Sequence, residues 1–278
     1  MKLDSINYKV ITVQPDFLAR IIGINADSDN CFQEMDSLLR SDQGAVSLIL
    51  RVANSAMYSR GRHIKTIPHA INLLGINIIR SLAILSVSRS IFTQIKNKLI
   101  KKHVWQHSLL TALACQQICI AMGEKELSEE AFVAGLLHDI GKVLLFYNNP
   151  NGYIKILGYA LEKPCACAEA EQKFLKIDHY DVGKQTIWEW KLPVYFENYT
   201  AICLEQILPD QTQDKVLHFL AIANSLIKDA GFGASPSDLP CSKEKLMRMG
   251  AGEKLIAHLL EESFMQRLVQ NEIYRLCV

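Results

Sequence analysis

The sequence predicts an all-α protein. Apolar residues recur at three-to-four spacing along nearly the whole chain, and alternating strand-like runs are scarce. Only 14 glycines and 8 prolines punctuate 278 residues. With 49% hydrophobic and 21% charged residues, the composition is that of a folded, helix-rich chain able to bury one large core or two small ones.

The first helix should begin at Pro15, whose fixed φ suits a first helical turn, with Asp16 adding favourable charge there. A second is expected over 31–40, and a third runs from near Gly44 to Ala53-Asn54-Ser55, with a loop at SRGRH. Pro68 opens a short helix that ends at Gly75. From Ile76 to about Lys96 the chain is apolar on nearly all sides, the pattern of a helix at the centre of a bundle. Further helices are expected at 101–122, 128–146, 151–161, 165–175, 179–190, 194–206 and 213–230. GFGASPSDLP then reads as a linker, followed by helices at 242–249 and 252–276.

A net charge of +1 supplies no global field to draw polyanions, which argues against an obligate nucleic-acid binder. The first residues carry no apolar core of export-signal length, and polar residues interrupt the longest apolar stretches. A cytoplasmic protein with no membrane span is therefore expected. The eight cysteines are scattered, which fits reduced thiols in that compartment.

The chemistry centres on His138-Asp139 in LLHDIGK, where two adjacent polar side chains interrupt an apolar helix. Burying an imidazole beside a carboxylate is costly unless they pair or bind a cation. On its own such a dipeptide is usually ordinary. Its context here, with AFVAGLL before it and His107 31 residues upstream, resembles the HD superfamily of metal-dependent phosphohydrolases. The resemblance implies that His107, His138 and Asp139 match three ligands of a divalent metal, for which iron, manganese or zinc suits the donors. Asn224 stands where the enzymes carry a fourth ligand, Asp, and an amide oxygen brings no negative charge. Glu205-Gln206 stand where some members carry a histidine pair. His179 resembles an additional family histidine, with a hydrogen-bonded core residue as the other reading, and Lys142 resembles a lysine that holds phosphate in active relatives.

The N-terminal half adds SDQG, then RVANSA, then Ile67-Pro68 to Ala70-Ile71 and Leu74-Gly75. This ordered series is similar to the HDOD family, with Gln43 replacing a usual proline at a helix start, and the match extends over roughly 12–230. It implies a two-lobed helical bundle: an N-terminal HDOD lobe over 1–98, an HD-like lobe over 99–230, and a linker with C-terminal helices over 231–278 that cap the bundle or form a dimer contact. It also implies a bacterial signal-transduction module, non-catalytic because the ligand set is incomplete, with a signalling protein as partner and a nucleotide or phosphate as a conceivable ligand. The rival reading is a metal-dependent phosphohydrolase acting on a nucleotide or cyclic dinucleotide, in which Asp139 and Lys142 would be catalytic.

Other features carry plainer readings. Asn54 is expected to satisfy backbone groups where an apolar helix ends. Cys165 and Cys167 lack a second ligand pair, and Cys115 and Cys119 share a core face. The run Lys96, Lys98, Lys101, Lys102 reads as a solvated helix end; the sharper alternative is a phosphate contact extended by Arg60, Arg62, His63 and Lys65. Trp188 and Trp190 should pack against the last helices, and Trp105 is placed to shield His107.

Overall fold

Pro15 opens α1 (Pro15–Gly23) as the sequence predicts, and the helix buries Phe17, Leu18 and Ile21. The computed structural model describes residues 2–11, 15–59, 61, 63–207 and 213–278, and among them no strand occurs. The all-α reading is correct. After α2 (Cys31–Leu39), α3 (Gln43–Ala53) starts at Gln43 behind the Asp42 carboxylate, which accepts from the Ala45 N–H at 2.7 Å. Gln43 in place of proline thus costs the helix start nothing visible.

Asn54 closes α3 in the structural role expected of it. Its Nδ2 donates to the carbonyls of Leu50 and Ile64, both at 2.7 Å, and its Oδ1 accepts from the Ile64 N–H at 2.8 Å. Arg60 and Arg62 lie outside the described residues, while His63 and Lys65 are exposed. α4 (Ile67–Leu74) follows the Thr66 cap and stops at Gly75, from which α5 (Ile76–Thr93) departs directly.

Among the described residues, α5 is the one helix long and apolar enough to cross a membrane. Here it packs on α1 and α3, and 56% of that span is buried in the fold. Arg80 on this helix pairs with Glu129 at 3.2 Å and donates to the Ile24 carbonyl at 2.6 Å. It is a core helix.

The helix expected over 101–122 begins earlier and is not uniform. A short α6 (Lys98–Ile100), capped by Asn97, widens into a π-helical turn over Lys101–Gln106 and then becomes α7 (His107–Ala121). Such turns re-aim the side chains that follow, and are frequent at functional sites. The single helix expected over 128–146 is two, α8 (Ser128–Leu137) and α9 (Ile140–Asn148), with the chain turning at His138-Asp139. Asp139 takes φ −102°, ψ 18°, and the His138 ring donates to the Gly135 carbonyl at 2.8 Å. A side chain bonding a helix carbonyl is a local alternative to continuing the helix.

α10 (Pro150–Glu162), α11 (Cys167–Leu175) and α12 (His179–Glu189) follow, the last capped by Asp178, whose Oδ1 accepts from the Tyr180 and Asp181 N–H groups at 3.0 Å each. The helix expected over 194–206 is instead a series of single turns, including α13 (Glu197–Thr200). α14 (Lys215–Asp229) runs behind its Asp214 cap. Beyond the linker come α15 (Lys243–Arg248), α16 (Glu253–Leu259), α17 (Glu262–Gln270) and α18 (Glu272–Cys277), so the expected 252–276 helix is three short ones.

Two close crossings position the site. A Cβ on Gly135 of α8 would lie 2.5 Å from the Ala112 Cα of α7. One on Gly141 of α9 would lie 1.9 Å from the His179 carbonyl oxygen of α12. Only glycine permits these backbone approaches. α17 packs on α7, and the Trp105 indole, stacked on Phe92 at 4.9 Å, donates to the Cys277 carbonyl at 3.1 Å. α17 and the end of α18 thus lie against α7 and the π-helical turn before it. Trp190 departs from expectation, since it is buried and donates to the carbonyl of Tyr8 at 3.1 Å, near the N-terminus, while Trp188 is 57% exposed.

Candidate metal centre

Three histidines from three elements turn toward one carboxylate. His107 opens α7 directly after the π-helical turn, His138 and Asp139 form the break between α8 and α9, and His179 opens α12. None of the four is more than 5% exposed. The Nε2 atoms of His107 and His138 each lie 3.5 Å from Asp139 Oδ2, and His179 Nε2 lies 3.8 Å from Oδ1.

Each ring is fixed through its other nitrogen. His107 Nδ1 donates to the Phe232 carbonyl at 2.9 Å, and His138 Nδ1 to that of Gly135 at 2.8 Å. A carbonyl oxygen only accepts, so the hydrogen sits on Nδ1 and a neutral ring leaves its lone pair on Nε2. Burial pushes both imidazoles below their ordinary pKa, with Asp139 opposing this only in part. Two lone pairs then face each other at 3.1 Å, which is repulsive without a cation or proton to share.

Asp139 is in the complementary state. Burial disfavours its charge, but Lys142, donating at 2.8 Å, and the surrounding imidazoles hold its carboxyl well below the usual range. Neutral imidazoles around an ionised carboxylate are the protonation states in which these groups ligate a divalent ion. The 3.1 and 3.5 Å ligand-atom separations also suit the edges of a coordination shell with bonds of about 2.1 Å.

Behind His179 stands a side chain that the sequence reading did not single out. Glu171 is fully buried and accepts four hydrogen bonds: from Tyr153 Oη at 2.7 Å, Cys167 Sγ at 3.4 Å, the His179 N–H at 2.7 Å and His179 Nδ1 at 2.6 Å. Burial and the Glu171 charge push the Cys167 thiol well above its ordinary pKa, so it serves as a donor. A carboxylate holding a histidine whose far nitrogen faces the ligand cluster is the familiar outer support of metal sites. One sequence signal existed: Cys167 and Glu171 are four apart and so share a helix face.

Asn224 and Glu205 line the same cavity as His138, Asp139, Lys142 and His179, and they are bonded to each other, Asn224 Nδ2 donating to Glu205 Oε1 at 3.1 Å. Lys228, also unmarked in the sequence, donates to that same oxygen and lies 3.3 Å from Asp238. Trp105 does not shield this cavity but faces Phe92 and Cys277. The linker covers the His107 ring instead: Phe232 supplies the carbonyl for its Nδ1, and Gly233 lies against it. Lys96, Lys98, Lys101 and Lys102 are exposed, as a solvated helix end requires. Cys115 and Cys119 are buried core residues.

The sequence profile of the HDOD domain matches residues 11–203. The chain belongs to the HDOD domain family. The HDOD match takes in the N-terminal motif series and all four residues of the cluster, and it ends just before Glu205, leaving Asn224 and Lys228 beyond it. An HDOD domain protein of unknown function from Geobacter sulfurreducens superposes with a TM-score of 0.74 at 24% identity, covering 92% of this chain and 91% of that one. A candidate phosphohydrolase from Shewanella amazonensis SB2B gives 0.68 at 22% identity over 97% of each chain. These likenesses speak for the fold. An uncharacterized protein of Treponema pallidum (strain Nichols) is 22% identical over 254 residues, which are 90% of this chain but 49% of the relative, so the HDOD chain spans about half that relative's length.

Proposed function

We propose that this HDOD protein is a cytoplasmic, non-catalytic signal-transduction module whose HD-like cavity holds one divalent cation, iron, manganese or zinc, and which acts through a protein partner. The observation that carries the cation is the pair of opposed Nε2 lone pairs of His107 and His138, 3.1 Å apart beside an ionised Asp139. His107, His138 and Asp139 would hold the ion, His179 would join them from the Asp139 Oδ1 side, and Asn224 is the remaining candidate ligand. A bound cation would supply charge that locks α7, the α8–α9 break and α12 into one arrangement, and the chain's own residues would transmit that arrangement to the surface.

The cavity's size supports a non-catalytic role. It offers about 30 Å³ to water-sized occupants, enough for an ion with a water or two. Ligand pockets are generally on the order of 300 Å³ or more, so a nucleotide does not fit beside Asp139 in this arrangement. Glu205, paired with Lys228, closes one side of the cavity.

The second reading, a phosphohydrolase acting on a nucleotide or cyclic dinucleotide, draws on Lys142, a buried cation at the cluster. Metal analysis of the purified protein, with turnover assays on nucleotides and cyclic dinucleotides in added manganese or iron, separates the two. The proposed reading expects one cation per chain, lost in His138→Ala, and no turnover. Turnover that disappears in His138→Ala, which strands no buried charge, would replace it with the hydrolase, and a wild-type protein that takes up no cation would overturn it.

A further inference from the structure

Glu205, Asn224 and Lys228 are shared between two cavities. On one side is the small cavity that contains Asp139 and His179; on the other is a cavity of about 170 Å³ whose lining includes Lys245 and Arg248. The Glu205 carboxylate thus sits in the wall between them, with its Oε1 accepting from both the Asn224 amide and the Lys228 ammonium.

Lys228 does not rely on that oxygen alone. Lys228 keeps a second carboxylate, Asp238, at 3.3 Å, and Asp238 is itself fixed by accepting from the Ser235 N–H at 2.7 Å. Asn224 is buried on α14 one helical turn before Lys228, so the two present an ammonium and an amide N–H on the same helix face at a fixed spacing. Glu205, in contrast, is carried by a three-residue turn rather than a packed helix. The donors are rigidly mounted, and the acceptor is the replaceable part. The outer cavity sets Lys228, Lys245 and Arg248 against Glu205 and Asp238, so moving Glu205 aside leaves cations in excess around a charged and an amide donor, the arrangement that takes an oxyanion.

We propose that Glu205 is a resident carboxylate in an oxyanion subsite formed by Lys228 and Asn224, and that a small phosphate-bearing ligand entering past Lys245 and Arg248 displaces it. This deepens the proposed regulatory reading by naming the ligand class, and it needs no cation at Asp139. Displacement opens the wall between the two cavities, so ligand binding in the outer one is felt beside the histidine cluster.

The test is anion binding to Glu205→Ala, read by calorimetry and thermal shift with inorganic phosphate at constant ionic strength, chloride serving as the control. Glu205→Ala should bind phosphate at least tenfold more tightly than the wild type, and adding Lys228→Met should abolish the gain. Glycerol phosphate, an ester small enough for that cavity, in parallel separates ester from free phosphate: only the ester should also lose affinity in Lys245→Ala/Arg248→Ala. If Glu205→Ala does not fold, Glu205→Gln, of equal size and without the charge, takes its place under the same criteria. A folded variant with no gain, or a gain that survives Lys228→Met, overturns the proposal. Cation content measured on the same samples keeps this outcome distinct from failure of the metal reading.

Discussion

Gly233 lies against the His107 ring so closely that a Cβ there would sit 3.0 Å from Nδ1. That nitrogen is the one that donates to the Phe232 carbonyl, and Gly233 also has φ +79°, a conformation side chains adopt only with strain. The linker is therefore the mount that sets the tautomer and direction of His107. Gly233→Ala should weaken zinc or manganese binding about 10- to 100-fold, the usual effect of disturbing a ligand's outer support, with the fold retained. Calorimetric titration of the metal-free variant measures it; unchanged affinity would show that the linker does not orient the ring.

Glu171 makes a parallel prediction on the opposite side of the cluster. Its four hydrogen bonds leave no lone-pair direction idle, and the shortest holds His179 with Nε2 toward Asp139. Glu171→Gln keeps the volume but turns half of the carboxylate into a donor facing other donors. It should lower metal affinity about 10-fold if His179 ligates, and leave affinity unchanged if His179 is only a core residue. The far-ultraviolet spectrum and melting temperature, compared with those of Tyr153→Phe, report whether packing alone has changed.

Gly141 tests the helix crossing itself. An added methyl would meet the His179 carbonyl oxygen at 1.9 Å and the Gly183 nitrogen at 2.8 Å, and backbone cannot rotate away as a side chain can. Gly141→Ala should cost about 3 kcal/mol or more, at the upper end for overpacking. Gly158→Ala, with nothing within 4 Å of its Cβ, is the control and should be neutral or mildly stabilising. Denaturant unfolding of both decides it.

Much of this was legible in the sequence, and the failures share a cause. Pro15, Asp42-Gln43, Pro68 and Gly75 mark helix ends by local chemistry, and those boundaries hold within a residue or two. The break at His138-Asp139 carries neither glycine nor proline; it is made by a ring bonding the Gly135 carbonyl, which no apolar period reveals. Glu171 was missed for the opposite reason, its one signal being the four-residue spacing from Cys167. Within CAEAEQKFL it looks like a solvated residue, and only the approach of Tyr153 and His179 from other helices makes its burial tolerable. Trp190 likewise found its partner, Tyr8, 182 residues away.

His103 gives the pH prediction. Its Nδ1 accepts from the Gly233 N–H at 3.0 Å, so the bond requires an unprotonated nitrogen. Burial first, then the charges of Lys102 and Lys142, lower its pKa from 6.5 to about 4. Between those values the unfolded chain binds the proton more readily than the folded one, so stability rises with pH there. The contribution is complete above 6.5 and lost as pH falls toward 4. Amide protection at 231–240, taken relative to the intrinsic exchange rate at each pH, should fall as pH drops through that window, and His103→Asn, whose side-chain oxygen still accepts, should flatten the dependence. An identical pH profile in the variant would assign the loss to other groups.

Asp139→Ala, the obvious variant for the metal, is not a clean one. Lys142 is buried, and Asp139, donated to at 2.8 Å, is the first of the charges that hold its pKa up against burial. Removing one partner of a buried pair typically costs about 3–5 kcal/mol, because the remaining charge is stranded. The metal-free Asp139→Ala protein should therefore melt well below the metal-free wild type, and its failure to bind metal would mix lost ligation with lost fold. Lys142→Met added to Asp139→Ala removes the stranded charge and should recover most of the stability while recovering no metal binding. His138→Ala, which strands no charge, should lose the metal with a smaller stability penalty. If the double variant binds metal like the wild type, Asp139 is a salt-bridge residue, and the ligand set must be drawn from the histidines alone.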